Sequence, residues 1–189
     1  MLTITGLMRS GTSAAAAAAN RAGVTMGTTM VMPAFGLATE WEDAALVLPL
    51  TARIMTSDWE DVGTTLAMYV QSRIDGYKAF AGFWDGAVSW GVKSPFLMLC
   101  WDAWSVAAPG DDHIVAVTSR RFGETIDSMH RAARNIEDAD AYVAAMSGLQ
   151  GVLRTQDERV REEADFVIEN EDLLRDPDMA MAPVIEAMR

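Results

Sequence analysis

The chain begins by changing rhythm twice. Leu2-Thr3-Ile4-Thr5 reads as a strand, a polar turn broken by glycine follows, and SAAAAAANRAGV (13–24) is a helix by composition. Alanine has the highest helix propensity, Asn20 and Gly23 supply the stop, and small side chains allow close packing on a sheet. A strand, a Gly-rich turn and a helix in that order make a βα unit.

Further along, TMGTTMVMPAFGLATEWED (25–43) is a Gly- and Met-rich connection long enough to be functional, and an amphipathic helix is predicted from about Glu42 to Met55. A second helical stretch runs from about Thr64 to Phe83. Val88, Trp90 and Val92 then alternate as in a strand, and Pro95 is placed to open a helix. HIVAVTS (113–119) is the clearest buried parallel strand, a short β-branched run ending in a polar turn. A helix follows from about Phe122 to Arg134. Tyr142, Met146, Leu149, Leu153 and Val160 then mark one long surface helix over 137–163. DFVIENEDLLRDPDMAMAPVIEAM supplies a last short strand and a closing helix. Strands alternating with helices predict an α/β fold, a parallel β-sheet flanked by helices on both faces. With no internal repeat and no linker-like stretch, residues 1–189 are expected to form one domain.

Composition narrows the function. No apolar run approaches the roughly 18 residues that span a bilayer. Arg9 and two glycines interrupt the N-terminus too early for a signal peptide, so the expected compartment is the cytoplasm. A formal charge of −12 disfavours nucleic acid and anionic membrane as partners. A small anionic ligand answers to the local field instead, so the placement of the 15 basic residues matters; only Lys78 and Lys93 among them are lysines. The lone cysteine, Cys100 in SPFLMLCW, excludes an internal disulfide and reads as a buried, inert thiol.

The candidate chemistry starts at GLMRSGTS (6–13). Gly6 and Gly11 have the spacing of G-x-x-x-x-G-K-[ST], but Thr12 stands where the phosphate-gripping lysine belongs, and the nearest cation is Arg9. Such a loop is an anion cradle: its glycines let backbone N–H groups converge, and the following helix turns its positive end toward the bound oxygens.

The pattern G-x-x-R-S-G-T-S after the first strand resembles the 5′-phosphosulfate loop of sulfotransferases, which bind 3′-phosphoadenosine 5′-phosphosulfate (PAPS) on a P-loop-like fold. Four further segments match in the same order: FGLATEWEDAALVL, WGVKSPF, IVAVTSRRFGETIDS and the terminal FVIENEDLLRDPDMAMAPVIEAM. The proline that usually follows the 3′-phosphate arginine is replaced by Arg121-Phe122-Gly123.

The resemblance implies a PAPS-dependent enzyme that moves a sulfuryl group to a hydroxyl acceptor and releases 3′-phosphoadenosine 5′-phosphate (PAP), with no metal. Ser10, Gly11, Thr12 and Ser13 would wrap the 5′-phosphosulfate, and Arg9 would lean over the sulfuryl group. Lys93 would be the second cation. Glu42 would be the general base, with Glu40 and Asp43 as near alternatives. Arg120, eight residues before Ser128, would join that serine on the 3′-phosphate. The bland counterpart for Arg120 is an ion pair with Glu124, four residues on. Neither His113 nor His130 falls on a matched position, and with one cysteine they do not make a zinc site.

The acceptor is open among small molecules, glycans and peptides, and a homo-oligomer is compatible with the sequence. An atypical P-loop kinase and a noncatalytic nucleotide-binding module are the competing functions. Thr12 and the lack of a strand ending in a magnesium-binding aspartate count against the kinase.

Overall fold

The computed structural model describes residues 1–26, 28–32, 37–42, 46, 62–81, 89–108, 113–134 and 139–189. Its centre is a four-stranded parallel sheet of β1 (Leu2–Gly6), β4 (Gly91–Lys93), β5 (Ile114–Ser119) and β6 (Phe166–Glu169), in the order β4-β1-β5-β6. The chain leaves β1, returns on one side of it as β4, and crosses to the other side as β5. This is the switch point outside which open α/β sheets bind ligands, at the carboxyl ends of the strands. Ile4 pairs with Lys93 in register, Gly6 with Thr118 and Ser119 with Glu169, so the four carboxyl ends share one edge.

Each strand divides its side chains between the two faces. Leu2 and Ile4 of β1, Ala116 of β5 and Ile168 of β6 pack with α1 (Thr12–Arg21) and α7 (Pro177–Ala187), whose Met181 and Val184 complete that layer. Against Leu2 and Ile4 the polyalanine helix presents Ala15, Ala16, Ala18 and Ala19, all buried. Short side chains let its backbone approach the sheet, the packing that its composition predicts.

On the opposite face Val92, Val115 and Val117 meet α2 (Val62–Ala81), a 3-10 helix (Pro95–Cys100), α3 (Trp101–Ala107) and α5 (Ala139–Glu162). Ser94 caps the 3-10 helix, accepting from Phe96 N at 3.2 Å, with Pro95 at the first helical position where its missing N–H costs nothing. Cys100 is buried there, as expected, and burial pushes its thiol up to about 12. Helix α4 (Phe122–Ala133) packs on α5, and the short α6 (Asn170–Arg175) follows β6 directly.

Three expectations change. The connection after α1 carries an antiparallel ribbon, β2 (Thr28–Met32) with β3 (Leu37–Glu42). Glu42 therefore closes a strand and does not open a helix; the remainder of that predicted helix lies outside the described residues except Leu46, which is helical and buried. Of the strand read over Val88, Trp90 and Val92, the described part is Gly91–Lys93 with Trp90 bridging to Thr25, and Val88 lies outside the described residues. The single closing helix is two, because Asp176-Pro177 interrupts it: Asp176 accepts from Met179 N at 3.1 Å and Pro177 opens α7.

Candidate functional site: the loop after β1

The turn from β1 to α1 needs both of its glycines. Gly6 has φ 144°, and a Cβ there would lie 2.4 Å from Thr118 O. Gly11 has φ 103°, and a Cβ would lie 2.6 Å from Asn170 Nδ2. The spacing thus does two things: it permits left-handed backbone and lets the loop lie tightly on β5 and α6.

Gly11 caps α1 with no side-chain hydrogen bond, and the first turn has no acidic residue. The amides at the start of a helix have no carbonyl four residues back to bond, so the Thr12–Ser13 turn presents donors and the positive end of the helix dipole. Thr12 is buried and Ser13 half-buried. Ser10, expected to wrap an anion, has protein partners for each of its polar groups. Its N–H donates to Leu7 O (3.1 Å), its hydroxyl pairs with Thr118 Oγ1 (2.6 Å), and its carbonyl accepts from Asn170 Nδ2 (3.0 Å). The Ser10 hydroxyl and carbonyl thus hold the loop to β5 and α6, while its N–H closes the turn on Leu7.

Arg9 is exposed and left-handed, with φ 66°. Its Nε donates to Ser128 Oγ at 3.2 Å, on the second turn of α4. Arg120, just past β5, donates from one terminal nitrogen to Arg9 O at 3.1 Å. The residues assigned from the resemblance to the sulfuryl group, Arg9, and to the 3′-phosphate, Arg120 and Ser128, therefore form one cluster. The ion pair set against the Arg120 assignment is also present: Arg120 Nε lies 3.3 Å from Glu124 Oε2.

Lys93 ends β4 one strand away from the loop, with its residue only 3% exposed. Val92 faces the α3 layer, so Lys93 leaves the sheet on the side of α1 and the β2–β3 ribbon. Strand β3 lies against both α1 and β4. Its register slips between Thr28 and Met30, and Trp41 takes φ 64°, so the strand bends where Glu42 ends it. The Glu42 backbone is thereby carried on a strand that lies against β4, the strand that Lys93 ends. The Glu42 side chain and Asp43 lie outside the described residues, as do the side chains of Glu40 and Lys78.

Three residues that hold the site escaped the sequence reading: Thr118, Asn170 and Gln150. Gln150 is fully buried on α5 and bonds to both the N–H and the carbonyl of Met8. Nothing local in the sequence marks it, although a polar residue among the apolar positions of a surface helix is the one available hint.

No family model matches this chain, and no curated protein matches it. Among solved structures it is similar to a sulfotransferase from Mycobacterium tuberculosis, with a TM-score of 0.62 and 16% sequence identity. The match takes in 99% of this chain and 66% of the other, so the chain spans slightly under two thirds of that protein's length. At that identity the likeness establishes architecture: the chain has a sulfotransferase-like α/β fold.

Proposed function

We propose that the chain is a sulfotransferase that draws on PAPS and serves a hydroxyl acceptor. The observation that carries this reading is the meeting of Arg9 with Ser128 and Arg120 at the mouth of the loop. In a protein of net charge −12, two guanidinium groups gathered beside an uncapped helix start make a local field suited to a ligand with two anionic ends. Strand β5 leads into Arg120 where a kinase would hold magnesium with a carboxylate, which favours PAPS over ATP.

PAPS would supply the sulfuryl group, leaving as PAP when the sulfur–oxygen bond to its phosphate breaks. The residues of the chain would orient and neutralise. Gly11, Thr12 and Ser13 offer backbone donors to the 5′ end; Arg120 and Ser128 take the 3′-phosphate. Arg9 and Lys93 stabilise charge on the sulfuryl and bridging oxygens. Glu42 accepts the proton of the acceptor hydroxyl as its oxygen attacks sulfur. The acceptor, small molecule, glycan or peptide, approaches from the side of the β2–β3 ribbon.

Thermal shift with PAP, PAPS and magnesium-ATP tests the nucleotide. A ligand at about 100 times its dissociation constant adds about 2.7 kcal/mol of stability, so PAP should raise the melting temperature clearly and ATP should not. Transfer of labelled sulfate to a panel of hydroxyl acceptors tests catalysis. Preference for ATP, or no response to either adenosine phosphate, would reject the reading.

A further inference from the structure

Ser10 anchors the far end of the loop, but its crest is held by α5. Gln150 Oε1 accepts from Met8 N at 3.0 Å, and its Nε2 donates to Met8 O at 3.0 Å and to Thr125 Oγ1 at 2.8 Å. Thr125 in turn donates to Phe122 O at 2.6 Å, which leaves its oxygen to accept from Gln150. Both amide hydrogens of Gln150 are thus committed, one to the loop and one to the first turn of α4. The carboxamide treats Met8 as a neighbouring strand would, satisfying its N–H and carbonyl together.

The next residue is Arg9, whose φ of 66° is a conformation that a side chain other than glycine keeps only when its surroundings impose it. Three residues after Thr125 comes Ser128, which accepts from Arg9. One buried side chain therefore fixes the two segments between which the Arg9 guanidinium sits.

We infer that Gln150 is the positioning residue of the anion loop: through Met8 and Thr125 it holds Arg9 in its left-handed turn against Ser128, and it sets bisphosphate affinity without touching the ligand. The affinity part rests on the function proposed above; the hold on the loop does not.

Gln150→Met fills a similar volume and makes none of the three bonds. It is expected to speed amide hydrogen exchange across residues 7–13 by roughly tenfold or more, with β5 unchanged, and to weaken PAP binding by a similar factor. Gln150→Glu adds a pH signature. As a carboxylate it sets an oxygen against Met8 O; protonated, it recovers one acceptor and one donor. PAP affinity of Gln150→Glu relative to the unaltered protein should therefore rise as pH falls from about 8 to about 5, since burial raises a carboxyl pKa, while Gln150→Met stays flat.

Unchanged loop exchange in Gln150→Met, or a flat pH profile for Gln150→Glu, would overturn the inference. If Gln150→Met does not fold, Gln150→Glu compared across the same pH range decides by loop exchange alone. Should the unaltered protein not bind PAP, the proposed function falls while the exchange measurement still decides the role of Gln150.

Discussion

Arg9 reaches Ser128 across 119 residues of sequence, Nε to Oγ at 3.2 Å, and so joins the first loop of the chain to helix α4. The contact links the two ends of the proposed nucleotide site. Arg9→Ala should abolish measurable sulfuryl transfer while leaving the melting temperature within a few degrees, because the side chain is exposed. Ser128→Ala should mainly weaken PAP. Transfer assays beside PAP titrations separate the two effects, and equal turnover in both variants would remove Arg9 from the mechanism.

Arg120 is shared between Arg9 O and Glu124. Arg120→Ala should weaken PAP by roughly tenfold or more, the loss of one charge-assisted contact. Glu124→Gln should do the reverse, tightening PAP by roughly a few fold, since the carboxylate competes with a phosphate for the same guanidinium. Calorimetric titration of both variants checks the opposite signs.

Lys93 is nearly enclosed, so truncation to alanine would confuse lost charge with a cavity. Lys93→Met keeps most of the volume. It is expected to lower turnover on the order of a hundredfold while PAP affinity changes little, as for a charge needed chiefly in the transition state. Single-turnover transfer set against equilibrium PAP binding measures that difference.

Gly11→Ala should destabilise the protein by about 1–3 kcal/mol, since it forces left-handed backbone on alanine and drives a methyl group into Asn170. Gly23, also at positive φ, has nothing within 4 Å of an added Cβ, so Gly23→Ala should cost only the backbone part, roughly 1 kcal/mol. Urea unfolding of the two variants resolves the contribution of close approach.

His113 lies under the amino end of the sheet. Trp104 Nε1 donates to Thr3 Oγ1 at 3.1 Å, and Thr3 lies 2.7 Å from His113 Nε2, to which it can give its own hydrogen only if the ring is neutral. Burial pushes the imidazole down to about 4, helped by the Met1 ammonium and opposed by Asp165. The unfolded chain takes up this proton near the ordinary value of about 6.5, so it binds more protons than the folded protein between the two values. Stability should fall as pH drops from about 6.5 toward 4. Denaturation midpoints across that range, compared with those of His113→Asn, should show the difference narrowing toward the acid end.

The strands of the parallel sheet, most of the helices and the loop were legible because they rest on local chemistry. The β-branched run of HIVAVTS, the alanines of α1 and the glycines at 6 and 11 each act within a few residues. The antiparallel ribbon was not legible. Its sequence is punctuated by Gly, Met and Pro without clear alternation, and its pairing bulges at Thr28–Met30. The break at Asp176-Pro177 was visible, but a proline at the first position of a new helix reads locally much like the end of an old one.

By itself the sequence determined the kind of element most stretches form, and its resemblance to sulfotransferases nominated Arg9, Lys93, Arg120 and Ser128. Residue type and spacing are enough for the elements, since propensity and glycine conformation belong to single residues or short runs; the site residues came from motifs matched to that family. Tertiary structure alone decided that Ser10 is committed to Thr118 and Asn170, that Arg120 divides itself between Arg9 and Glu124, and that Gln150 holds Met8. Those assignments depend on which donors and acceptors are left over once a parallel sheet has brought segments more than a hundred residues apart to one edge. A hydrogen bond chooses its partner by position in space, and no local pattern carries that position.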